Sequence, residues 1–218
     1  MPTAIVTGAS RGLGLELART LAGAGWRVLA DARSGVDIPG VTGVTGDVTD
    51  PFHLAHLVER ADTLDLLINN AGALGPSPLP RLAEASMDDL RDVLETNVVA
   101  PLALTQLALP LLRESHGIVI NVTSDAAPEA YPGWGVYGSS KSALEAIGRV
   151  LAVEEPDVTV WQVDPGDLRT QMHQDAYPGE DISHLPPPEA SVPGLLALID
   201  GSLPSGRYRA GELSRVTA

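Results

Sequence analysis

Short apolar runs alternate with helical patterns along this chain, and the alternation constrains the fold more than any other feature. Six runs rich in Val, Ile and Leu lie at 3–7, 27–30, 41–44, 64–68, 117–122 and 158–163. Apolar residues at helical spacing lie at 14–25, 51–61, 87–112 and 138–155. Short strands that are apolar on both faces and alternate with helices are typical of a parallel sheet covered on both sides. The sequence therefore predicts an α/β fold with a doubly wound, mostly parallel sheet.

Two segments interrupt the alternation. Residues 33–46 leave little room for a helix between the second and third runs. Residues 167–190 are polar and carry several prolines, which is typical of a surface excursion that covers a substrate. No internal repeat or low-complexity linker divides the 218 residues. We therefore expect a single domain over 1–218, with 167–190 as a substrate-binding excursion within it.

Charge and composition limit the expected partners. A formal charge of −14 and a pI near 4.6 disfavour nucleic acid and anionic membranes, since both require a basic surface. The absence of cysteine excludes disulfides, zinc–thiolate sites and cysteine nucleophiles. We find neither a signal peptide nor an apolar stretch long enough to span a bilayer, so we expect a cytoplasmic protein. The histidines lack metal-ligand spacing and are interpreted as ordinary, without a metal; they are His53, His56, His116, His173 and His184.

The segment TGASRGLG (7–14) links the first apolar run to the first helical pattern. Its glycines, Gly8, Gly12 and Gly14, are spaced G-x-x-x-G-x-G rather than in the commoner dinucleotide pattern G-x-G-x-x-G. Glycines permit close approach of the backbone to a ligand, and the N–H groups that open a helix attract phosphate. The loop is either a phosphate-binding turn or an ordinary strand–helix connection, and its place after the first strand favours the former.

Tyr137 and Lys141 are one helical turn apart in VYGSSKSAL (136–144), and Lys141 is the only lysine among 14 Lys and Arg residues. A phenol with an ordinary pKa of about 10 is a poor acid or base at neutral pH, and a neighbouring ammonium lowers that pKa. A planar guanidinium is a poor substitute for such a compact charge. By itself the Tyr-x-x-x-Lys pattern also describes a solvated lysine beside a half-buried tyrosine, so its meaning depends on other residues.

Two polar residues accompany this pair. Ser124 ends the run GIVINVTS, where it is either a turn residue or a donor to a carbonyl oxygen that Tyr137 protonates. Asn97 lies within a helical segment, where asparagine is disfavoured unless its amide has a partner or a function. Candidate walls of a substrate pocket, with plain packing as the alternative for each, are Trp134, Met172, His173 and Tyr177.

With these motifs in order, the sequence resembles the short-chain dehydrogenase/reductase family. TGASRGLG resembles its cofactor loop, and GDVTD (46–50), NNAG (69–72), S…YGSSK and PGDLRT (165–170) resemble its other motifs. The match covers residues 3–170 and continues weakly to 205–213, where a last strand is expected. The resemblance implies a Rossmann-type domain of about seven strands. This chain is shorter than is usual for the family after its second strand.

The resemblance also implies roles for residues. Ser124 would orient and polarise the substrate carbonyl, and Tyr137 would act as the acid in reduction and the base in oxidation. Lys141 would lower the pKa of Tyr137 and hold the nicotinamide ribose, and Asn97 would bind a water that links Lys141 to solvent. Asp47 would hydrogen-bond the adenine. The implied cofactor contacts are Gly8, Ser10, Arg11, Gly12, Leu13, Gly14, Arg33, Asp47, Val48, Asn70, Ala71, Gly72, Tyr137, Lys141, Pro165, Gly166, Leu168 and Thr170.

The cofactor preference depends on the end of the second strand. Asp31 lies where an acidic residue would bind a free ribose 2′-hydroxyl, although it is equally able to cap the strand or pair with Arg33. Alignment with the family pattern instead places Ala32 at the discriminating position, with Arg33 next and Arg11 nearby. Two guanidiniums suit a 2′-phosphate. We therefore favour NADP(H), with NAD(H) as the alternative.

The expected function is an NAD(P)(H)-dependent oxidoreductase, a carbonyl reductase or secondary-alcohol dehydrogenase with a small-molecule substrate. Two alternatives stay open: an enzyme of the same family acting on an imine, enone or sugar nucleotide, and a cofactor-binding sensor or scaffold without turnover. The resemblance also implies a homodimer or homotetramer formed through the helices at 87–112 and 136–155.

Overall fold

The computed structural model describes residues 1–201 and 203–213. Seven parallel strands form one sheet in the order β3-β2-β1-β4-β5-β6-β7. The strands are β1 (Thr3–Val6), β2 (Arg27–Ala32), β3 (Val41–Thr45), β4 (Leu66–Asn69), β5 (Ile118–Val122), β6 (Thr159–Asp164) and β7 (Gly206–Arg209). This doubly wound, Rossmann-like sheet confirms the predicted fold class and the expected last strand.

Helices connect the strands and cover both faces. They are α1 (Gly12–Gly23), α2 (Pro51–Glu59), α3 (Met87–Leu94), α4 (Ala100–Ser115), α5 (Gly135–Glu154), α6 (Gln171–Ala176), α7 (Val192–Ile199) and α8 (Ala210–Leu213). A π-helical turn (Glu95–Val99) joins α3 to α4, and a 3-10 turn (Pro188–Ser191) precedes α7. As predicted, no helix lies between β2 and β3.

Alternate residues of the strands divide the core into two layers. In β1, Ala4 and Val6 pack against α1 and α7, whereas Ile5 packs against α2 and α4. In β6, Trp161 faces the first layer and Val160 the second. Successive side chains of a strand point to opposite faces, so every strand must be apolar on both sides. This requirement explains the uninterrupted apolar runs of the sequence.

The strand order places a cleft at one edge of the sheet. The order reverses between β1 and β4, and the helices α1 and α4 that follow these strands pack on opposite faces of the sheet. In open α/β sheets, ligands bind beyond the carboxyl ends of the strands at this reversal. The glycine loop follows β1, the NNAG segment follows β4, and Ser124 follows β5, so the fold brings all three to that edge.

Three helical segments differ from the sequence prediction. The helix expected over 87–112 is interrupted by the π-helical turn, which contains Asn97. The predicted excursion 167–190 contains the short helix α6, and α7 directly after it was not predicted. The helix α5 begins at Gly135, which places Tyr137 in its first turn.

The helical segment Met87–Ser115 is long and apolar enough to cross a membrane when only length and composition are considered. Of its most apolar window, 44% is buried within the described protein. Leu104, Ala108 and Leu112 of this segment pack into the core beside the sheet. A core helix of a globular protein meets the same criteria, so this observation is weak support for a membrane span.

Candidate active site

The glycine loop packs against the NNAG segment so closely that side chains are excluded. A Cβ atom on Gly8, which has a φ of +68°, would lie 2.8 Å from the Cα atom of Ala71. A Cβ atom on Gly14 would lie 2.4 Å from Asn70 Nδ2. Asn70 Nδ2 donates hydrogen bonds to the carbonyl oxygens of Thr7 and Gly8, at 2.8 and 3.2 Å. Two of the predicted glycines are therefore required by contact between the loops.

The N-terminus of α1 faces the same cleft. Arg11 precedes the helix, and its side chain makes no capping hydrogen bond to the helix. The first N–H groups of this 12-residue helix consequently remain available to an anion, with the favourable end of the helix dipole behind them. A glycine loop that opens a helix is the arrangement used for dinucleotide phosphates, and the donors present here fit such a group.

A carboxylate and an imidazole support the glycine loop from below. The Asp31 side chain is buried; Oδ1 accepts a hydrogen bond from the Gly8 N–H at 2.9 Å, and Oδ2 lies 2.8 Å from His53 Nε2. Burial raises the pKa of Asp31, and the bonds from Gly8 and His53 oppose that rise. A Cβ atom on Gly46 would overlap the His53 ring, so the segment after β3 packs directly on this imidazole.

This pair bears on the interpretation of Asp31. The carboxylate bonds to Gly8 and His53 rather than pairing with Arg33, and it also lines the cleft. His53, interpreted as ordinary from the sequence, is one of its partners. The sequence carried one signal for this contact: a histidine lies on the apolar face of the helical pattern 51–61. The pattern does not identify the residue that this histidine contacts.

At the neighbouring segment, Asp47 is half-exposed and accepts hydrogen bonds from the backbone N–H and hydroxyl of Thr49, at 3.0 and 2.9 Å. The Thr49 N–H is the largest influence that lowers the pKa of Asp47, and the nearby Arg33 adds to it. Arg33 and Arg11 are both exposed at this end of the cleft. The cleft therefore offers two exposed guanidiniums beside a carboxylate that is already hydrogen-bonded.

Tyr137 and Lys141 lie at the other end of the cleft, one turn apart on α5. Both are buried, and Lys141 Nζ lies 5.5 Å from the centroid of the Tyr137 ring. Nζ also donates a hydrogen bond of 2.9 Å to the carbonyl oxygen of Val122, at the end of β5. This bond fixes the ammonium beneath the cleft and leaves its other protons for a ligand.

Burial dominates the ionisation of both groups. It raises the pKa of the Tyr137 phenol, Asp125 and Asp164 raise that pKa further, and Ser124 opposes the rise. Burial lowers the pKa of Lys141 to about 8. We expected the ammonium to lower the pKa of Tyr137; in the protein alone burial raises that pKa, and the group that opposes the rise is Ser124.

Ser124 follows β5 and borders the Tyr137 side of the cleft. Its Oγ donates to Asp125 Oδ1 at 3.0 Å and accepts from the Ala126 N–H at 3.1 Å. Asp125 also accepts from the Tyr131 hydroxyl at 3.0 Å. The serine hydroxyl is therefore held in one orientation by its neighbours. It must give up its hydrogen bond to Asp125 before it donates one to a substrate carbonyl.

Asn97 is completely buried behind the cleft. Its Oδ1 accepts from the Ala73 N–H at 2.7 Å, and its Nδ2 donates to the Ala73 carbonyl at 2.8 Å and to Ser140 Oγ at 2.9 Å. The side-chain amide therefore braces the segment after β4 against α5. Both amide protons are used by these bonds, and the water-linked relay to Lys141 stays a prediction.

The excursion reaches back over the cleft. Thr170 caps α6 by accepting from the His173 N–H, and its Cγ2 lies 3.6 Å from the position of a Cβ atom on Gly12. Trp134 packs against the rings of Tyr137 and Tyr177, with centroids 5.7 and 6.0 Å apart. These contacts pack aromatic rings beside the phenol, and a role for them as a substrate-pocket wall stays a prediction.

The cleft has a volume of about 1370 Å³. This exceeds the roughly 300–1,000 Å³ of typical small-molecule pockets and leaves room for an extended ligand beside a substrate. Two predicted site residues, Gly14 and Asn97, lie behind its surface. The predicted residues that line it are Gly8, Ser10, Arg11, Gly12, Leu13, Arg33, Asp47, Val48, Asn70, Ala71, Gly72, Ser124, Tyr137, Lys141, Pro165, Gly166, Leu168 and Thr170.

A doubly wound sheet with a glycine loop at its reversal and a Ser–Tyr–Lys group at the next strand end defines a Rossmann-type domain with an oxidoreductase site. The sequence model of one family, described as short chain dehydrogenase, matches residues 2–181. The chain belongs to the short-chain dehydrogenase/reductase family, and it is an oxidoreductase of that family.

Known relatives agree with this assignment. The chain is 32% identical over 185 residues to a serine 3-dehydrogenase of Agrobacterium fabrum, covering 78% of this chain and 73% of the relative. It superposes on the KRED1-Pglu enzyme with a TM-score of 0.88 and 28% identity, covering 95% of this chain and all of the other. An alcohol dehydrogenase from the archaeon Thermococcus sibiricus, complexed with 5-hydroxy-NADP, gives a TM-score of 0.85 and 26% identity over 96% of this chain and 95% of that one.

Proposed function

We propose that the protein is an NADP(H)-dependent carbonyl reductase that runs in reverse as a secondary-alcohol dehydrogenase. One observation carries the proposal: Ser124, Tyr137 and Lys141 converge at one end of a cleft whose other end is the glycine loop. When bound, the nicotinamide cofactor supplies a hydride to the carbonyl carbon or accepts one from the alcohol carbon.

The protein's own residues handle the proton and the oxygen. Tyr137 holds a proton for the substrate oxygen, and its raised pKa keeps the phenol protonated at neutral pH. That protonation state is the one that carbonyl reduction requires, whereas oxidation requires a phenolate that burial disfavours. Ser124 orients the carbonyl oxygen toward the phenol.

Lys141 contributes charge from below the cleft. With a pKa of about 8, its amine is mostly protonated at pH 7 and mostly neutral at pH 9. As an ammonium it would bind ribose hydroxyls and stabilise negative charge on Tyr137. The charged form is favoured as the pH falls. The contribution of Lys141 to ribose binding and to stabilising charge on Tyr137 is therefore present below pH 8 and lost above it.

Three features support NADP(H) over NAD(H). Arg11 and Arg33 are exposed on the cleft where the chain leaves β1 and β2. Asp31, the acid that would otherwise bind a free 2′-hydroxyl, is engaged by Gly8 and His53. Guanidiniums bind phosphates through two parallel hydrogen bonds. The complex of the archaeal relative with 5-hydroxy-NADP is consistent with this preference.

We further infer a cytoplasmic homodimer or homotetramer that pairs through α4 and α5. Exposed apolar side chains on or next to these helices support this assembly: Val99 is 48% exposed, Leu107 41%, Val150 54% and Val153 83%. Large apolar groups at one surface are a mark of protein–protein contact. Light scattering coupled to size-exclusion chromatography tests this assembly.

The activity is tested by following the ultraviolet absorbance of NADPH with a panel of ketones and aldehydes, with imines, enones and sugar nucleotides in parallel. We expect oxidation of NADPH with a carbonyl substrate and loss of at least about 1,000-fold in kcat for Tyr137→Phe, since the variant lacks the transferred proton. Tyr208→Phe removes a phenol hydroxyl that donates to the Pro204 carbonyl outside the cleft; it is the matched control and is expected to retain turnover. Tight NADPH binding without turnover across the panel would instead favour a sensor or scaffold.

A further inference from the structure

Arg207 extends from β7 across β6 to the end of β5. Its Nε donates to Glu145 Oε1 at 2.9 Å, and its NH2 group donates to the Ser124 carbonyl oxygen at 3.2 Å and to Asp164 Oδ2 at 3.3 Å. One guanidinium therefore joins β7 to α5, to the end of β6 and to the backbone of Ser124. We call these four residues the Arg207 network.

The two carboxylates of this network are buried. Glu145 is 5% exposed and Asp164 is 3% exposed. Buried carboxylates destabilise a protein unless they are paired and hydrogen-bonded. Two other cations approach them from solvent: Arg149 lies 3.8 Å from Glu145 and Arg209 lies 3.5 Å from Asp164, with side chains 65% and 50% exposed. Arg207 is the closest cation to both carboxylates and has the least exposed side chain of the three.

Each carboxylate also holds a segment of the candidate active site. Glu145 Oε1 accepts from the hydroxyl of Thr123, directly before Ser124, at 2.8 Å. Asp164 Oδ1 accepts from the Gly166 N–H at 2.9 Å and so shapes the turn after β6. The three bonds of Arg207 therefore tie together the two loops that border Tyr137.

We propose that Arg207 is a positioning residue of the active site: it holds Ser124 and the turn after β6 in place by joining the Ser124 carbonyl oxygen to Glu145 and Asp164. The inference rests on the proposed function, because Ser124 orients a substrate carbonyl only if the protein is a carbonyl reductase. Arg207 itself touches neither the phenol nor the cleft surface, so its effect on turnover passes through these partners.

Arg207 also balances charge around the phenol. The charged groups that face Tyr137 are Asp125 after β5, Asp164 at the end of β6 and Lys141 on its own helix. Asp164 raises the pKa of Tyr137, and the guanidinium beside Asp164 offsets part of that negative charge. Removal of the guanidinium is therefore expected to raise the pKa of Tyr137 further.

The test compares Arg207→Gln and Arg207→Lys with Arg209→Gln. Arg209 lies two residues along the same strand and reaches Asp164 but not Ser124, so it is the matched control. Misplacement of a catalytic group by ~1 Å costs on the order of 100-fold in rate. For Arg207→Gln we expect kcat for the carbonyl substrate to fall about 10- to 100-fold, with less than about threefold change in NADPH affinity.

Rescue by a conservative variant separates positioning from general destabilisation. Arg207→Lys should recover kcat only in part, because an ammonium restores the charge but cannot bond to all three acceptors in the same geometry. Arg209→Gln should retain kcat.

A measurement without turnover completes the test. The Ala126 N–H donates to Ser124 Oγ, so amide hydrogen exchange of residues 123–126 reports the position of the serine. We expect faster exchange there in Arg207→Gln and wild-type exchange in Arg209→Gln. Wild-type kcat and exchange in Arg207→Gln would overturn the inference, as would loss of stability with no change in kcat or local exchange.

If Arg207→Gln does not fold, Arg207→Lys decides alone, because unchanged kcat and unchanged exchange in that variant also overturn the inference. Failure of the proposed function gives a different result. The wild-type protein would then bind NADPH without turnover, and the exchange of residues 123–126 would still decide whether Arg207 holds Ser124.

Discussion

Lys141 Nζ lies 5.5 Å from the ring centroid of Tyr137, and both side chains are buried at the same end of the cleft. Burial moves their pKa values in opposite directions, raising that of the phenol and lowering that of the amine. In both cases the neutral form is favoured, because desolvation penalises charge of either sign. The pair is thus a proton-holding phenol next to an amine that titrates near physiological pH.

The titration of Lys141 is directly measurable, because it is the only lysine in the chain. Incorporation of 13Cε-labelled lysine gives one side-chain signal in an NMR spectrum. We expect its midpoint at about pH 8, well below the ordinary value of 10.5. The physical reason is burial, so the denatured protein serves as the control and should titrate at the ordinary value. A folded-state midpoint near 10.5 would contradict the burial of this amine.

The same shift makes stability depend on pH. Between about 8 and 10.5 the unfolded chain binds a proton at Lys141 that the folded protein does not. The contribution of Lys141 to stability therefore increases as the pH rises through this window and decreases as the pH falls through 8. In Lys141→Met this contribution to the pH dependence should vanish, as measured by urea unfolding at pH 7.5, 9 and 10.5.

The packing of the glycine loop predicts opposite results for two glycines of α1. Gly14→Ala should destabilise the protein by about 1–3 kcal/mol, because its Cβ atom would overlap Asn70 Nδ2 and the Gly8 carbonyl oxygen. NADPH affinity should fall with it, since those atoms shape the loop. Gly23→Ala is the matched control on the same helix, where a Cβ atom meets nothing within 4 Å. It should be neutral or stabilising by up to about 1 kcal/mol. Equal melting temperatures for the two variants would refute this packing argument.

Asp31 should make the protein less stable at neutral pH than a neutral isostere would. Its pKa in the folded protein is raised by burial, so stability associated with the protonated acid is fully present below its ordinary pKa of 3.8 and lost as the pH rises through the folded value. Asp31→Asn keeps an oxygen that accepts from the Gly8 N–H and carries no charge. We expect a higher melting temperature than wild type at pH 7, and a difference that shrinks toward pH 4. Greater stability of wild type at pH 7 would mean that His53 more than offsets the cost of burial.

Arg33 is expected to distinguish the two cofactors. Arg33→Ala should weaken the binding of 2′,5′-ADP about tenfold, the loss of one charge-assisted hydrogen bond, and leave the affinity for 5′-AMP unchanged. Isothermal titration calorimetry measures both affinities without turnover. Arg19→Ala removes an exposed arginine that pairs with Glu16 on α1, outside the cleft, and is the control. An equal loss for both nucleotides would contradict a role in recognising the 2′-phosphate.

Much of the site could be predicted because its signals are local. The glycine loop, the Tyr–Lys spacing and the serine at a strand end are each encoded within a few residues, and strand–helix alternation assigns them to loops at one edge of the sheet. The Asp31–His53 contact joins residues 22 apart, and Arg207 bonds to the carbonyl of a residue 83 positions away. No periodicity connects such positions. The π-helical turn at Asn97 likewise depends on how its helix meets the segment after β4.

By itself, the sequence determined the doubly wound architecture and the identity of the polar groups that could meet at its edge, because apolar periodicity and short motifs act over one strand or one helical turn. Only the tertiary structure decided which of those groups are buried, which partners occupy Asp31 and Ser124, and in which direction the ionisation of Tyr137 and Lys141 shifts. Desolvation and long-range hydrogen bonding are properties of the packed molecule, since they depend on every segment that excludes water from a given atom.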